Sequence, residues 1–216
     1  MNTHYFVRDE EVEVIAGTIT LAGHLRIPAH AIGVVVFAHG SGSSRNSPRN
    51  VAVAKVLNDA GFATLLFDLL TEQEAADRNN VFDIELLAKR LSDATIWLRS
   101  QDEFAKSPFG YLGASTGAAA ALWAAANPNS NLSAVVSRGG RADMAAQKLE
   151  EVRSPTLLIV GGLDEVVIEL NREAQAKLRC KNELVIISGA THLFEEPGTL
   201  EEVARLSTDW FLKHLV

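Results

Sequence analysis

Residues 109–128 read FGYLGASTGAAAALWAAANP, and this stretch decides the fold. Its first six residues suit a buried strand and its alanine-rich remainder a helix, so strand passes into helix at Ser115. Gly113 and Gly117 stand two residues either side of that serine. Without β-carbons at those positions, the backbone can fold back sharply. Such a Gly-x-Ser-x-Gly turn is a nucleophile elbow. It exposes the serine hydroxyl above the sheet and aims the N-terminus of the next helix at any negative charge forming beside it. Three fixed positions make a sparse pattern, shared with ordinary glycine-rich turns. A working site therefore also needs a base, an acid and an oxyanion-binding turn elsewhere in the chain.

The flanking sequence repeats the strand-then-helix order. GVVVFA, ATLLFD, SAVVS, TLLIVGG and ELVIIS are apolar runs without alternation, as expected of parallel strands buried on both faces. Helical stretches lie between them: PRNVAVAKVLNDAG, with Pro48 near its start and Gly61 past its end, DIELLAKRLSDATIWLRSQ capped by Asp83, TGAAAALWAAANP, ADMAAQKLEEV, VIELNREAQAKLR and the final LEEVARLSTDWFLKHLV. The opening VEVIAGTITLAGHLRIP predicts a hairpin turning at Ala16–Gly17, an antiparallel edge to the sheet. Alternation of this kind predicts a doubly wound α/β sheet with helices on both faces. The longest irregular piece, LLTEQEAADRNNVF, is expected near the mouth of the site. Between SAVVS and TLLIV there is room for one short helix, so no large cap domain is expected.

Composition narrows the function. The chain has 216 residues, 47% of them hydrophobic and 22% charged, enough for one globular domain with a full core. A formal net charge of −7 argues against nucleic-acid or anionic-membrane partners, which favour clustered lysine and arginine. No apolar run approaches the ~20 residues of a membrane helix, and the acidic N-terminus is unlike a signal peptide, so a cytoplasmic location is expected. The single cysteine, Cys180, excludes an internal disulfide and a cysteine-rich metal site, and it suits a structural position.

In such sheets, ligands bind beyond the carboxyl ends of the strands. Four apolar runs end there in chemically capable residues: His39-Gly40-Ser41-Gly42, Ser115, Asp164 and His192. A serine hydroxyl needs a base within hydrogen-bond reach, and an imidazole oriented by a carboxylate supplies one. Ser115, His192 and Asp164 are the candidates for nucleophile, base and orienting acid. The competing acid is Glu165, one residue on, and a purely structural Asp164 would cap the helix that follows. Of the remaining histidines, His4, His24, His30 and His214 suit solvated or helix-end positions. His39 suits a loop-shaping role through side-chain hydrogen bonds. The backbone N–H groups of Ser41 and Thr116 are the candidate oxyanion donors. The HGSGSS stretch lacks both the lysine of a phosphate loop and the dinucleotide-binding spacing.

Taken together, VVFAHGSGSSRNSPRN, LGASTGAAAAL, SRGGRADMA, GGLDEVV and GATHLFEEPG resemble the α/β-hydrolase superfamily over nearly the full chain, and within it the small, capless dienelactone hydrolase-like group. The order serine, acid, histidine is the one that superfamily uses. The resemblance implies a single domain over residues 1–216, a mostly parallel sheet, and an acyl-serine mechanism without metal or cofactor. It also implies a small-molecule ester as partner, in a monomer or homodimer. The namesake enzymes use a cysteine nucleophile where this chain has Ser115, which shifts the expectation toward general ester hydrolysis. They also hold a substrate carboxylate with arginines, one of them shortly after the catalytic histidine, where this chain has Leu193-Phe194-Glu195-Glu196. Small, uncharged, short-acyl esters are therefore expected, with Leu69, Leu70, Leu193 and Phe194 lining an apolar pocket. Arg138 either faces that pocket or bridges loop carbonyls, Arg45 is a further candidate, and Trp123 suits the core. A lactone or thioester hydrolase, a transferase to acceptors other than water, and a non-catalytic binding module on the same fold are the competing readings.

Overall fold

The computed structural model describes residues 6–215. β1 (Phe6–Ala16) and β2 (Ile19–Pro28) form an antiparallel hairpin, closed at Gly17–Thr18, where Gly17 takes a φ of 68°. Six further strands follow: β3 (Gly33–Ala38), β4 (Phe62–Phe67), β5 (Phe109–Ala114), β6 (Leu132–Arg138), β7 (Thr156–Gly161) and β8 (Asn182–Ile187). They run parallel to one another, and the sheet order is β1-β2-β4-β3-β5-β6-β7-β8. The order folds outward in both directions from β3, the doubly wound arrangement expected from the alternating sequence.

The helices are α1 (Pro48–Asp59), α2 (Glu72–Ala75), α3 (Arg78–Phe82), α4 (Ile84–Arg99), α5 (Thr116–Ala125), α6 (Glu165–Lys177) and α7 (Thr199–His214). α1 and α7 cover one face of the sheet; α4 and α5 cover the other, with α6 on the same side. The unbroken apolar runs of the strands follow from this double cover. In β3, Val34, Val36 and Ala38 join the layer beneath α4 and α5, whereas Val35 and Phe37 join the layer beneath α1 and α7. The helix ends follow the local sequence. Pro48 opens α1 behind a Ser47 cap, Asp83 caps α4 by accepting from Leu86 N–H, and Thr71 with Glu74 closes a capping box on α2.

Two segments differ from expectation. ADMAAQKLEEV forms two short 3-10 turns, Ala142–Ala145 and Leu149–Glu151, in place of an α-helix. Its apolar residues Ala142, Ala145, Leu149 and Val152 are all buried, so tertiary burial at this spacing outweighs helical propensity. LLTEQEAADRNNVF is not irregular throughout, since it contains α2 and α3.

Ser115 joins β5 to α5 at φ 51° and ψ −120°, outside the regions that side-chain-bearing residues favour. Such backbone costs on the order of 1–3 kcal/mol and persists only where its surroundings fix it. Here its N–H donates to Arg138 O at 3.1 Å, and its carbonyl accepts from Arg141 N–H and Ala118 N–H, each at 3.1 Å. A β-carbon on Gly117 would lie 2.2 Å from Ala38 O, and one on Gly113 would lie 2.4 Å from Ala118 Cα. The Gly117→Ala variant is therefore expected to lose about 3 kcal/mol of stability through overpacking against fixed backbone. Urea unfolding would show this as a lower midpoint at an unchanged slope.

Candidate active site

β5 delivers Ser115, and β3 delivers the turn opposite it. Gly40 lets that turn approach closely: a β-carbon there would lie 3.1 Å from Ala114 O and 3.1 Å from Ser115 Cβ. Thr116 opens α5, so its N–H has no intrahelical acceptor. The Ser41 N–H is engaged, donating to Thr116 Oγ1 at 2.8 Å. The two expected oxyanion donors thus come from neighbouring backbone, with the Thr116 hydroxyl bridging their residues.

His192 and Asp164 meet across the ends of β7 and β8. His192 Nδ1 lies 2.6 Å from Asp164 Oδ2. Asp164 occupies the N-cap position of α6, yet its side chain makes no capping hydrogen bond. Its carboxylate is turned to the histidine, and Glu165 begins the helix. The two loops are pressed together at Gly161, where a β-carbon would lie 2.5 Å from both Ala190 O and Thr191 O. Glu196 fixes the histidine loop by accepting from Thr191 N–H at 3.0 Å and from Thr191 Oγ1 at 2.6 Å. These bonds hold the Glu196 carboxyl below its ordinary pKa. The sequence presents Glu196 only as a charge after the histidine, although its spacing from Thr191 in THLFEE is also that of a short loop clamp.

Two cavities open beside the Gly40–Ser41 turn. One, of about 270 Å³, is lined by Ser115, His192, Ser41, Arg138 and Leu193, with Ser47, Arg49 and Asn50 from the start of α1. The other, of about 390 Å³, is lined by Leu69, Leu70, Ala75, Val81, Leu87 and Thr116. Gly40, Ser41 and Ser43 belong to both walls. Leu69 and Leu70 therefore lie across the turn from the serine cavity, and Leu193 lies within it. Phe194 is a correction: only 1% exposed, it packs into the apolar layer shared with Val203 and Phe211 and does not line the serine cavity.

Arg138 lines the serine cavity while 7% exposed, and its Nη2 donates to Asn50 Oδ1 at 3.1 Å. Among the described residues its side chain bridges no loop carbonyl, and its Nη1 has no hydrogen-bond partner. Burial, with a smaller contribution from Arg49, lowers its pKa to about 10. Asn50 and Arg49 went unnoticed in the sequence because an Asn or Arg in the first turn of a helix reads as a solvated residue. Arg45 is already spent on Asp68, with Nη1 to Oδ2 at 2.6 Å.

The other described histidines do not line the serine cavity. His24 lies on β2, one strand in from the edge, between Asp9 and Glu11. His214 packs against Trp210 with the rings inclined at 55°, His30 sits in a turn with φ 60°, and His4 lies outside the described residues. His39 Nδ1 lies 3.0 Å from Gly40 O, and its Nε2 accepts from Leu69 N–H at 3.1 Å. Trp123 packs partly buried against the core beneath α5. Half-buried Cys180 contacts Thr156 Oγ1 at 3.7 Å. Among the described residues no cluster of His, Cys, Asp or Glu is arranged to hold a metal, and no helix is long and apolar enough to cross a membrane.

The fold and the elbow define an α/β hydrolase. The dienelactone hydrolase family model matches residues 21–211, and the chain belongs to that family. A dienelactone hydrolase structure from Anabaena variabilis ATCC 29413 is 52% identical, with a TM-score of 0.94 over 97% of this chain and 99% of that one. Est1E from Butyrivibrio proteoclasticus shares the fold at 17% identity, with a TM-score of 0.81 over 94% of this chain and 98% of that one. A protein of Mycobacterium tuberculosis strain H37Rv bearing the name "Putative phosphoribosyl transferase Rv0571c" is 63% identical over 209 residues, 97% of this chain and 47% of that protein. The chain thus spans about half the length of the curated relatives it matches.

Burial holds the His39 imidazole below its ordinary pKa of 6.5. The neutral ring is the form that accepts from Leu69 N–H. A depressed folded-state pKa contributes stability that is present above pH 6.5 and is lost as pH falls toward the folded value. Urea titrations of wild type and His39→Asn are expected to show the largest difference above pH 6.5 and a shrinking one below it.

Proposed function

We propose that this chain is a serine hydrolase of carboxylic esters that works through an acyl-serine intermediate. The observation that carries the reading is the 2.6 Å Asp164–His192 contact at the same cavity as a serine held at positive φ. With Nδ1 engaged by the carboxylate, His192 Nε2 is the nitrogen left to take the Ser115 proton as Oγ attacks the ester carbonyl. Asp164 orients the ring and stabilises the imidazolium. The tetrahedral oxyanion meets the Thr116 N–H and, once the Thr116 hydroxyl turns away, the Ser41 N–H. Collapse expels the alcohol, which takes the proton from His192. Water, activated by the same imidazole, then releases the acid and restores Ser115. All of these groups belong to the chain itself.

The same sequence of steps opens a lactone or a thioester, and matched substrate kinetics separates the three. Added alcohols would yield new esters only if an acceptor other than water is used. The name borne by the mycobacterial relatives refers to proteins about twice as long. We assign the phosphoribosyl transfer it describes to the part of those proteins that this chain does not span. The family match over residues 21–211 supports acyl-bond hydrolysis for the part it does span.

Ser115→Ala is expected to lower kcat on a short-chain aryl ester by roughly a thousandfold or more, with folding intact. A fluorophosphonate is expected to add once, at Ser115, by intact mass and peptide mapping. Full activity in the variant, or no adduct on wild type, would overturn the assignment and favour a binding module.

A further inference from the structure

The charge on Arg138 is unexplained by hydrolysis alone. Arginine is rarely buried without a partner, because an uncompensated buried charge is costly. Among the described residues, the only hydrogen bond of the guanidinium goes to the neutral amide of Asn50, and no carboxylate pairs with it. The neighbouring charge is another cation, Arg49, whose proximity adds to the effect of burial in lowering the Arg138 pKa. Arg49 is itself paired with Glu195 at 2.9 Å. That bridge is at the surface, with the Glu195 side chain 62% exposed, so it is weakly held and exchangeable. The start of α1 lines the same cavity through Ser47, Arg49 and Asn50. Pro48 has no N–H, Asn50 N–H is taken by Ser47 Oγ, and Val51 N–H by Ser47 O. This leaves the Arg49 N–H at the positive end of the helix without an intrahelical acceptor.

We propose that the serine cavity binds a phosphate group of the substrate, held by Arg138, Arg49 and the first turn of α1. The substrate class is then an acyl ester of a phosphorylated alcohol. Two guanidiniums and a helix N-terminus together offer more donors than the two oxygens of a carboxylate use, and they match the charge and three terminal oxygens of a phosphate monoester. The acyl part faces the other way, toward the apolar cavity of Leu69, Leu70 and Val81 across the Gly40–Ser41 turn. This replaces the uncharged substrate expected from the sequence. It rests on the ester-hydrolase reading for the bond that is cut, though not for the binding of phosphate.

The test compares three acetyl esters on the wild-type chain: 2-acetoxyethanol, acetoxyacetate and 2-acetoxyethyl phosphate. The phosphate ester is expected to exceed both others in kcat/KM by at least about tenfold, mainly through KM, the effect of about two extra charge-assisted hydrogen bonds. Inorganic phosphate is expected to compete with it. Arg138→Gln and Arg49→Gln should each reduce the phosphate-to-neutral ratio toward one. Arg49 is the more exposed of the two, so its variant carries the test if Arg138→Gln does not fold. Equal rates, a faster carboxylate ester, or a ratio that neither variant moves would overturn the proposal. Calorimetric titration with inorganic phosphate reads the subsite without turnover. Binding weakened at least about tenfold in Arg49→Gln, with no ester hydrolysed, would sink the hydrolase reading and leave the phosphate site standing. No binding by wild type would sink the phosphate site.

Discussion

The backbone carbonyls of Ala38 and His39 occupy the space that a side chain on Gly117 would need. This close approach of β3 to the first turn of α5 places the serine, the Gly40–Ser41 turn and the start of the helix around one point. Hydrogen bonds from the β6 loop to both backbone groups of Ser115 then keep the strained residue in place. The central strands β3, β5 and β6 therefore act together, since none of them alone would hold the positive φ. Packing on both faces of the sheet supplies the rigidity that this geometry requires.

The fold was legible because its strongest signals are local. Unbroken apolar strands, two glycines flanking Ser115, and helix-start signals such as Pro48 and Asp83 each report on their own few residues. The meeting of Asp164 and His192 was legible through topology, since residues that end adjacent parallel strands converge. What remained hidden depended on side-chain direction across distant segments. Whether Arg138 had a counterion could not be read from SRGG, because its neighbours come from α1, nearly ninety positions earlier. Phe194 follows His192 closely enough to suggest a pocket residue, but its φ of 56° turns it into the core. The stretch after β6 carries helix-forming letters, yet burying four apolar residues in a short span favoured tight turns.

Asp164 illustrates how two demands on one residue are settled. Aspartate at a helix N-cap normally accepts from the backbone N–H groups of the first turn. This carboxylate is turned to His192 instead, and α6 begins without a side-chain cap. The helix start thus forgoes stabilisation of about 1 kcal/mol in favour of an oriented imidazole. Natural sites often set function against stability in this way.

His39 ties the carbonyl of Gly40 to the amide of Leu69 through the two nitrogens of one ring. Gly40 belongs to the turn between the two cavities and Leu69 to the wall of the apolar one, so a single rigid plane spans both. An acyl chain bulky enough to push Leu69 outward would tilt the ring and carry the turn with it. Misfit in the apolar cavity would then be felt as slower chemistry as well as weaker binding. Under the proposed ester hydrolysis, acyl length would register at the turn assigned to the oxyanion as well as in the cavity itself.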